Sequence, residues 1–497
     1  MTGNKNKQLK NHKDKSIAKN SIYYATYNAF NVIFPFITGM YVARILRPDS
    51  VGIVAYAQNI AQYFVIFAFL GIPTYGVREI AKVRNAERER SKVYSELLVI
   101  NFISTCIFSA IYLLLILSVP SFRSNLPLYL TTGAAIVLNA LNNSWLYEGL
   151  EEFKFISLRN IAFKALCLML LVILVKGPED YIKYAMITVL GTAGNYVLNI
   201  AYAPKFVKFT IKDLNLKRHM RSILLLVVVN LAIELYSLVD VTMLGSLSTS
   251  RNVAYYTYAS KINKIFVQII NSFTLVIVPR IAFYYKEKRN QEFNELLAKT
   301  LDTILLISIP IVAGIQICAS DAITLIYGTD FLPSANVLRI LSFVLIVSPV
   351  GYLLGSRVLL VTDNERTMII CVVMGAIANV IGNAILIPKF EEFGASIASV
   401  ISESIVMLIY IHYGKAYFAI HGETKNIIKI IAAVTAMSIY VISIKRIIVG
   451  GAAVNIFVRL IVQVIGALIV YFALLYVMKE SMTATYLKKI FRRLKNE

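Results

Sequence analysis

The sequence predicts an all-α polytopic membrane protein with about fourteen transmembrane helices. Hydrophobic residues make up 58% of the 497 residues and charged residues only 16%, whereas a soluble chain is usually about half apolar and a quarter charged. Apolar stretches of transmembrane length recur along the whole chain, and lysine and arginine concentrate in alternate connections between them. Together these three observations exclude a soluble fold.

Fourteen stretches are long and apolar enough to cross a bilayer, for which a helix needs about 20 residues. They cover residues 20–43, 51–72, 94–118, 127–149, 157–176, 183–203, 222–245, 253–278, 300–320, 336–361, 367–387, 395–414, 427–448 and 453–478. The connections between them are short, and we therefore expect no folded domain outside the membrane.

The distribution of basic residues predicts the orientation of these spans. With the N-terminus inside the cell, the two tails and the inner connections hold 35 of the 50 lysines and arginines. Cytoplasmic segments of membrane proteins carry such an excess, and a missed helix would scramble the alternation. We therefore predict a multi-pass protein of the cell (plasma or inner) membrane with both termini cytoplasmic. The net charge of +22 then reflects topology, and we expect no nucleic-acid partner.

Two pairs of spans are weakly alike, which predicts an internal repeat. Spans 1–2 and 7–8 are each joined by a short outer turn followed by an aromatic-rich entry, VGIVAYAQNI and RNVAYYTYASKI. Because the two pairs are six spans apart, the sequence predicts two pseudo-symmetric six-helix lobes. Transporters built from such repeats often have their substrate sites at the interface between the repeats. The predicted organisation is a basic cytoplasmic tail (1–19), an N-terminal lobe with helices 1–6 (20–221), a C-terminal lobe with helices 7–12 (222–426), two appended helices (427–478) and a second basic cytoplasmic tail (479–497).

The residue pattern argues against catalysis. The four cysteines lie in apolar runs without metal-ligand spacing, and the four histidines are scattered at or near inner loops. The sequence has neither a P-loop motif nor an HExxH motif. We therefore expect no enzyme, no metal and no cofactor, and leave open a coupling to a proton or sodium gradient.

Two lysines, Lys261 and Lys264, lie about a third of the way into span 8. A charge at that depth costs roughly 2.5–3.5 kcal/mol on insertion scales, so it usually faces a water-filled cavity and marks a substrate path. A spacing of three residues puts both ammonium groups on nearly the same helix face. The alternative is that both side chains extend to the outer interface.

Three other basic residues allow the same two interpretations at the inner side. Lys164 in span 5 and Arg357 in span 10 lie near inner helix ends, and Arg78 lies at the predicted inner mouth. Each either lines the transport path or reaches the cytoplasmic surface. Arg459, in an appended helix, is interpreted as a structural anchor.

Two acids in span 7, Glu234 and Asp240, are the candidates for charge pairing or ion coupling. An intramembrane carboxylate is expensive unless it is protonated or paired, and Lys261 or Lys264 on the next helix is a plausible partner. Such a pair would be either static or a switch that responds to protons or cations.

Five stretches resemble a known family. They are LGIPTYGVREIAKVR (70–84), ILRPDSVGIVAYA (45–57), WLYEGLEEFKFISLRN (145–160), LVDVTMLG (238–245) and ANVIGNAILIPKFEEFGASIASVISE (378–403). In their order and spacing along the chain, these stretches resemble the polysaccharide flippases, the Wzx-type O-antigen or capsule repeat-unit translocases of the MOP exporter superfamily. One departure is Arg47, which stands where the outer turn of the family usually has glycine in Leu-Gly-Pro; a tight turn there is in doubt.

The resemblance implies a V-shaped protein with two MATE-like lobes that works by alternating access. It also implies the substrate, an undecaprenyl-diphosphate-linked oligosaccharide moved from the inner to the outer leaflet for cell-surface polysaccharide biosynthesis. The implied partners are this lipid-linked oligosaccharide, the bilayer and other polysaccharide-assembly membrane proteins. Because lysine and arginine donate charge-assisted hydrogen bonds to phosphate, Lys261 and Lys264 are the first candidates to bind the diphosphate. Lys164, Arg357 and Arg78 follow them.

Three alternative functions stay open. A MATE-type cation-coupled drug antiporter has the same architecture, but cationic drugs favour an acidic lumen, and the deep residues here are mainly basic. A lipid II flippase shares the charge pattern, so only the five stretches argue against it. A membrane-embedded glycan polymerase or ligase would usually need a substantial outer loop, and the short connections predicted here argue against it.

Overall fold

The structure is a computed structural model that describes residues 17–417, 424–451 and 455–480. These residues are helical almost throughout, and no β-strand occurs among them. Most of the two basic tails predicted at 1–19 and 479–497 lies outside the described residues. Within the described part, nine helices are long and apolar enough to cross a bilayer.

Eighteen α-helices follow one another along the described chain. They are α1 (Ile17–Phe69), α2 (Ile72–Lys82), α3 (Glu87–Ser118), α4 (Pro120–Arg123), α5 (Leu126–Leu138), α6 (Ser144–Gly149), α7 (Phe153–Leu174), α8 (Tyr181–Val189), α9 (Tyr196–Tyr202), α10 (Lys217–Leu247), α11 (Ser250–Lys286), α12 (Asn290–Tyr327), α13 (Ser334–Ser342), α14 (Val344–Gly351), α15 (Val358–Val361), α16 (Glu365–Gly414), α17 (Thr424–Gly451) and α18 (Ile456–Val477).

The helices confirm the predicted architecture of about fourteen transmembrane spans. The helix α1 contains spans 1 and 2, and α16 contains spans 11 and 12, each pair divided by one residue with non-helical backbone. Spans 4, 6 and 10 are broken into shorter pieces. Some of the fourteen spans are therefore halves of bent helices and others are interrupted helices.

The bend in α1 lies at Arg47, the residue that replaces the expected glycine. Its backbone has φ 61° and ψ 168°, a conformation that glycine adopts readily and that strains other residues. Pro48 follows it and cannot donate a backbone hydrogen bond. The chain therefore makes the turn despite the substitution. The corresponding residue of α16 is Glu391, with φ 51° and ψ −125°.

Two membrane segments contain a π-helical stretch. One covers Leu190–Gly194, between α8 and α9, and the other covers Tyr352–Arg357, between α14 and α15. The wider helical turn of a π-bulge is frequent at functional sites. The second stretch ends at Arg357, one of the predicted site residues.

The chain packs as two compact units, one ending at Leu238 and the other beginning at Val239. In the first unit, α1 packs against α3, α5 and α7. One apolar core of this unit centres on Trp145 and Tyr147 of α6, and another centres on Tyr112 and Tyr129. The lobe boundaries given above stay a prediction.

In the second unit, α11 and α12 pack against each other and against α13. The appended helices α17 and α18 form a pair that packs on α12, with Leu306 of α12 buried among apolar side chains of both. The hydroxyl of Tyr471 in α18 donates a hydrogen bond to the Leu306 carbonyl oxygen over 2.8 Å. The appended helices are therefore attached through α12.

A polar network, which we call the Glu96 network, closes the first unit where α2, α3 and α10 meet. The carboxylate of Glu96 is fully buried and binds the side chains of Arg218 and His219 and the backbone N–H of Asn215. The hydroxyl of Tyr75 lies 2.8 Å from the other ring nitrogen of His219. The network fixes the connection that leads into α10.

Candidate functional site

Lys164 of α7 is buried and points towards the N-terminal half of α1. Its ammonium group donates hydrogen bonds to the side-chain oxygen of Asn31 and to the backbone oxygen of Phe30, the latter over 3.4 Å. It also lies 5.5 Å from the centre of the Phe34 ring. Its contacts within the described residues are all uncharged. The structure therefore places Lys164 inside the first unit with neutral partners.

The two lysines of α11 have different surroundings. The ammonium group of Lys261 lies 4.6 Å from the centre of the Tyr258 ring, a cation–π contact with the preceding turn. Lys261 is half-buried, whereas Lys264 is exposed on the isolated chain. Both lie on the same helix, as predicted; their contact with a substrate stays a prediction.

The other two basic candidates also rest on aromatic rings. The guanidinium of Arg357 stacks 4.3 Å from the centre of the Tyr352 ring, and its Nε atom is buried without a hydrogen-bond partner among the described residues. Arg78 is exposed on α2, where it lies 5.4 Å from the Tyr75 ring and 3.5 Å from a carboxylate oxygen of Glu79. Of these two candidates, Arg357 therefore has a buried donor atom without a partner among the described residues.

Asp240 lies at the centre of a polar cluster in the second unit. Its carboxylate accepts hydrogen bonds from Asn379 over 2.9 Å, Asn383 over 2.7 Å and Ser399 over 2.7 Å, and from the hydroxyl of Tyr256. All five side chains are buried. We call these residues the Asp240 cluster. They bring together α10, α11 and both halves of α16.

The Asp240 cluster has no basic member among the described residues. The structure therefore pairs Asp240 with neutral donors instead of Lys261 or Lys264. The side chain of Glu234, the second predicted acid, lies outside the described residues. Four neutral donors thus satisfy this buried carboxylate without a basic partner among the described residues.

Oxygen atoms in the Asp240 cluster make it the described site best suited to a small cation. The side-chain oxygen of Asn383 is buried and has no hydrogen-bond partner among the described residues. Carboxylate, amide and hydroxyl oxygens are the ligands that hard cations prefer. No group of three or more His, Cys, Asp or Glu side chains suited to a metal ion lies together in the described part of the chain. The cluster has one acid only.

Sequence reasoning identified Asp240 and missed its four partners. Asn379 and Asn383 are four residues apart and so share a helix face, and both lie in the 378–403 stretch that carries the family resemblance. Two amides at this spacing in an apolar span were a detectable signal.

Arg459 of α18 has the structural role that the sequence predicted. Its guanidinium donates a hydrogen bond to Asp321 of α12 over 2.7 Å, and the ammonium group of Lys445 lies 3.4 Å from the other carboxylate oxygen. These ion pairs join both appended helices to α12. Arg459 is confirmed as an anchor.

Comparisons with known proteins agree with this architecture. The family described as "Lipid II flippase MurJ" matches residues 157–477. A solved structure of "Lipid II flippase MurJ, inward closed conformation" superposes with a TM-score of 0.73 at 17% identity, covering 93% of this chain and 99% of that one. An inward-facing MATE family transporter of the MOP superfamily superposes with a TM-score of 0.62 at 15% identity, covering 77% of this chain and 93% of that one.

Curated relatives are similar over most or part of the chain. A putative O-antigen transporter of Escherichia coli (strain K12) is 23% identical over 80% of this chain and 98% of its own length. A probable low-salt glycan biosynthesis flippase of Haloferax volcanii is 23% identical over 39% of this chain and 40% of its own length. The family described as "Polysaccharide biosynthesis protein" matches residues 17–284. Because this match covers more than half of the chain, the protein belongs to that family of polysaccharide biosynthesis proteins.

Proposed function

We propose that this protein is a flippase that moves a lipid-linked oligosaccharide from the inner to the outer leaflet for cell-surface polysaccharide biosynthesis. The names of the relatives, an O-antigen transporter and a glycan biosynthesis flippase, support this function. The carrier lipid we propose is undecaprenyl diphosphate. The protein acts in the cell membrane with both termini in the cytoplasm, next to other membrane proteins of polysaccharide assembly.

The observation that carries the proposal is a set of three cations inside membrane helices that form no salt bridge with any described carboxylate. Lys164 binds amide and carbonyl oxygens, Lys261 rests on Tyr258, and Arg357 rests on Tyr352. Intramembrane cations are expensive and mark substrate paths. Cations without carboxylate partners remain available for an anionic ligand such as a diphosphate.

Transport in this proposal involves no covalent change, so the protein is not an enzyme. Alternating access exposes the cationic helices first to one leaflet and then to the other. Lys261 and Lys264 bind the diphosphate, and Lys164, Arg357 and Arg78 assist along the path. The Asp240 cluster, a carboxylate with neutral donors only, couples the cycle to a proton or sodium gradient, and no other cofactor takes part.

A lipid II flippase is the second candidate function. The MurJ family match over residues 157–477 favours it, since lipid II is also a prenyl diphosphate glycan. Cation-coupled export of drugs, as in MATE transporters, is less favoured because cationic drugs would be repelled by the deep lysines.

Deletion and complementation test the proposed function. Cells that lack this gene are expected to accumulate lipid-linked oligosaccharide in the inner leaflet, and the wild-type gene is expected to restore its access to a membrane-impermeant glycan-oxidising reagent. The Lys261→Ala/Lys264→Ala variant is expected to lower this access about tenfold or more, because charge-assisted hydrogen bonds contribute roughly 1.5–3 kcal/mol.

Two controls separate the outcomes. Lys286→Ala/Lys299→Ala removes two exposed charges and should export normally at equal membrane abundance. The wild-type gene is also introduced into cells depleted of their lipid II flippase. Restored growth there, together with unchanged glycan export in the deletion strain, would replace the proposed function by the second candidate. Normal export in the double lysine variant would remove the two lysines from the diphosphate site.

A further inference from the structure

Arg159 is a buried arginine that forms no ion pair with any residue in the described part of the chain. It lies in the second turn of α7 and is only 6% exposed. Its Nε and Nη1 atoms are buried and make no hydrogen bond to any described residue. A buried charge is strongly destabilising unless it is paired and hydrogen-bonded. An arginine retained in this condition points to a ligand.

The surroundings of Arg159 hold its guanidinium in place without neutralising it. The Phe155 ring centre lies 5.5 Å from the guanidinium carbon. Tyr147, Tyr196 and Glu148 are close enough to interact electrostatically with Arg159, but Glu148 forms no salt bridge with it. Aromatic rings fix the plane of a guanidinium and leave its in-plane N–H groups free to donate.

Hydrogen-bond acceptors with no donor lie on the same part of the first unit. The side-chain oxygens of Asn160, Asn195 and Asn199 are buried and accept no hydrogen bond from any described residue. The Tyr147 hydroxyl, a neighbour of Arg159, donates to the backbone oxygen of Asn199. The interior around α7 and α9 thus has one unsatisfied cation and several unsatisfied amide oxygens.

These groups do not satisfy one another, so their natural complement is a molecule with an anionic group and hydroxyl groups. A phosphate accepts two parallel hydrogen bonds from a guanidinium, and sugar hydroxyls donate to amide oxygens. The π-helical stretch Leu190–Gly194 directly precedes Asn195. Such distortions are frequent where a helix binds a ligand.

We propose that Arg159 forms a phosphate subsite inside the first unit, where it binds the diphosphate of the lipid-linked oligosaccharide while Asn195 and Asn199 accept hydrogen bonds from its sugars. This subsite rests on the proposed function and adds a residue that the sequence analysis did not single out. Lys164, five residues along α7, already has two hydrogen bonds. Compared with Lys164, Arg159 therefore has more donor atoms without a described partner and is the better candidate to bind an anion.

The test measures binding of a short-chain polyprenyl diphosphate to the full-length protein in nanodiscs made of zwitterionic lipid. Arg159→Met keeps the apolar bulk and removes the charge, and Arg159→Lys keeps the charge and loses the bidentate fork. We expect affinity to fall about tenfold or more in Arg159→Met and by less in Arg159→Lys. Arg84→Met, which removes an exposed arginine paired with Glu151, should bind like wild type.

The outcomes separate this inference from the proposed function. Equal binding by wild type and Arg159→Met would overturn the subsite while leaving the flippase proposal intact. If wild type does not bind the polyprenyl diphosphate, both proposals fail. A parallel titration of phosphatidylglycerol tests the other source of phosphate, and Arg159-dependent binding of that lipid alone would overturn the substrate subsite. Should Arg159→Met fail to insert, binding by Arg159→Lys at wild-type affinity would contradict the need for a bidentate donor.

Discussion

Asp240 shows how a buried acid can be hydrogen-bonded without a basic partner among the described residues. Its carboxylate accepts four hydrogen bonds, all from uncharged side chains. Neutral donors satisfy the oxygens of a carboxylate without adding an opposite charge. A carboxylate without a basic partner attracts a proton or a small cation. The charge of a salt-bridged carboxylate such as Asp321 is instead offset by Arg459 and Lys445.

Asp240→Asn is expected to uncouple transport from its driving ion. The amide keeps the size of the side chain and one acceptor oxygen but removes the charge that attracts the ion. Transport should fall about 5- to 150-fold, the range that coupling free energies of 1–3 kcal/mol produce. The measurement is glycan export before and after collapse of the sodium gradient and of the proton gradient.

Asp321→Asn is the matched control for this prediction. It makes the same chemical change at another buried acid of the second unit, where the ion pairs serve to attach α17 and α18. Its export should still respond to the gradient that drives the wild type, even if the variant is less stable. An Asp240→Asn protein whose export keeps the full response to that gradient would refute the coupling role.

At the scale of the element, the helices of this protein bend at single residues. Arg47 and Glu391 each adopt positive φ and divide a helix of 53 or 50 residues into two spans. A non-glycine residue in such a conformation costs about 1–3 kcal/mol. The neighbouring spans therefore hold these bends in place against a local preference for another conformation.

Arg47→Gly is expected to raise the unfolding temperature. Glycine relieves a strain of about 1–3 kcal/mol and loses about 0.5–1 kcal/mol to its greater freedom in the unfolded chain, so a net gain of roughly 1 kcal/mol remains. Thermal unfolding in detergent measures it. Arg44→Gly, three residues earlier in helical backbone, removes the same charge and should lower the unfolding temperature instead, since glycine costs about 1 kcal/mol within a helix. A lower unfolding temperature for Arg47→Gly would show that this turn is not strained.

At the scale of the whole molecule, the distribution of charge and the sequence of helices support one topology. The exposed residue Arg84 lies between α2 and α3, and the exposed residue Arg88 lies in the first turn of α3. The positive-inside rule places this connection in the cytoplasm. Arg123 and Leu332 lie in connections that the same topology places outside. The orientation is a proposal that labelling can decide.

Single cysteines are expected to report this orientation directly. In a variant without the four native cysteines, Arg123→Cys and Leu332→Cys should react with a membrane-impermeant maleimide in intact spheroplasts. Glu89→Cys should react only after permeabilisation. All three positions are exposed, so reactivity depends on the side of the membrane. Labelling of Glu89→Cys in intact spheroplasts would reverse the proposed topology.

The sequence predicted the architecture well because hydrophobic length and charge bias are properties of single segments. It predicted less of the candidate site, where contacts join distant residues. The neutral partners of Asp240 come from α11 and from both halves of α16 and lie up to 159 positions away. Arg159 was missed for a different reason: its position near a helix start made it look like one more cytoplasmic charge, and only its burial distinguishes it. Burial of a single side chain near a helix end depends on packing that segment-level patterns do not contain.

The Glu96 network has a consequence for the order in which the protein is made. Every group that it joins, from Tyr75 to His219, belongs to the first 219 residues of the chain. During synthesis, the ribosome therefore delivers all of these partners before most of the second unit exists. The connection into α10 can therefore be fixed by hydrogen bonds while translation continues. The helices of the second unit then enter the membrane after this part of the first unit has formed.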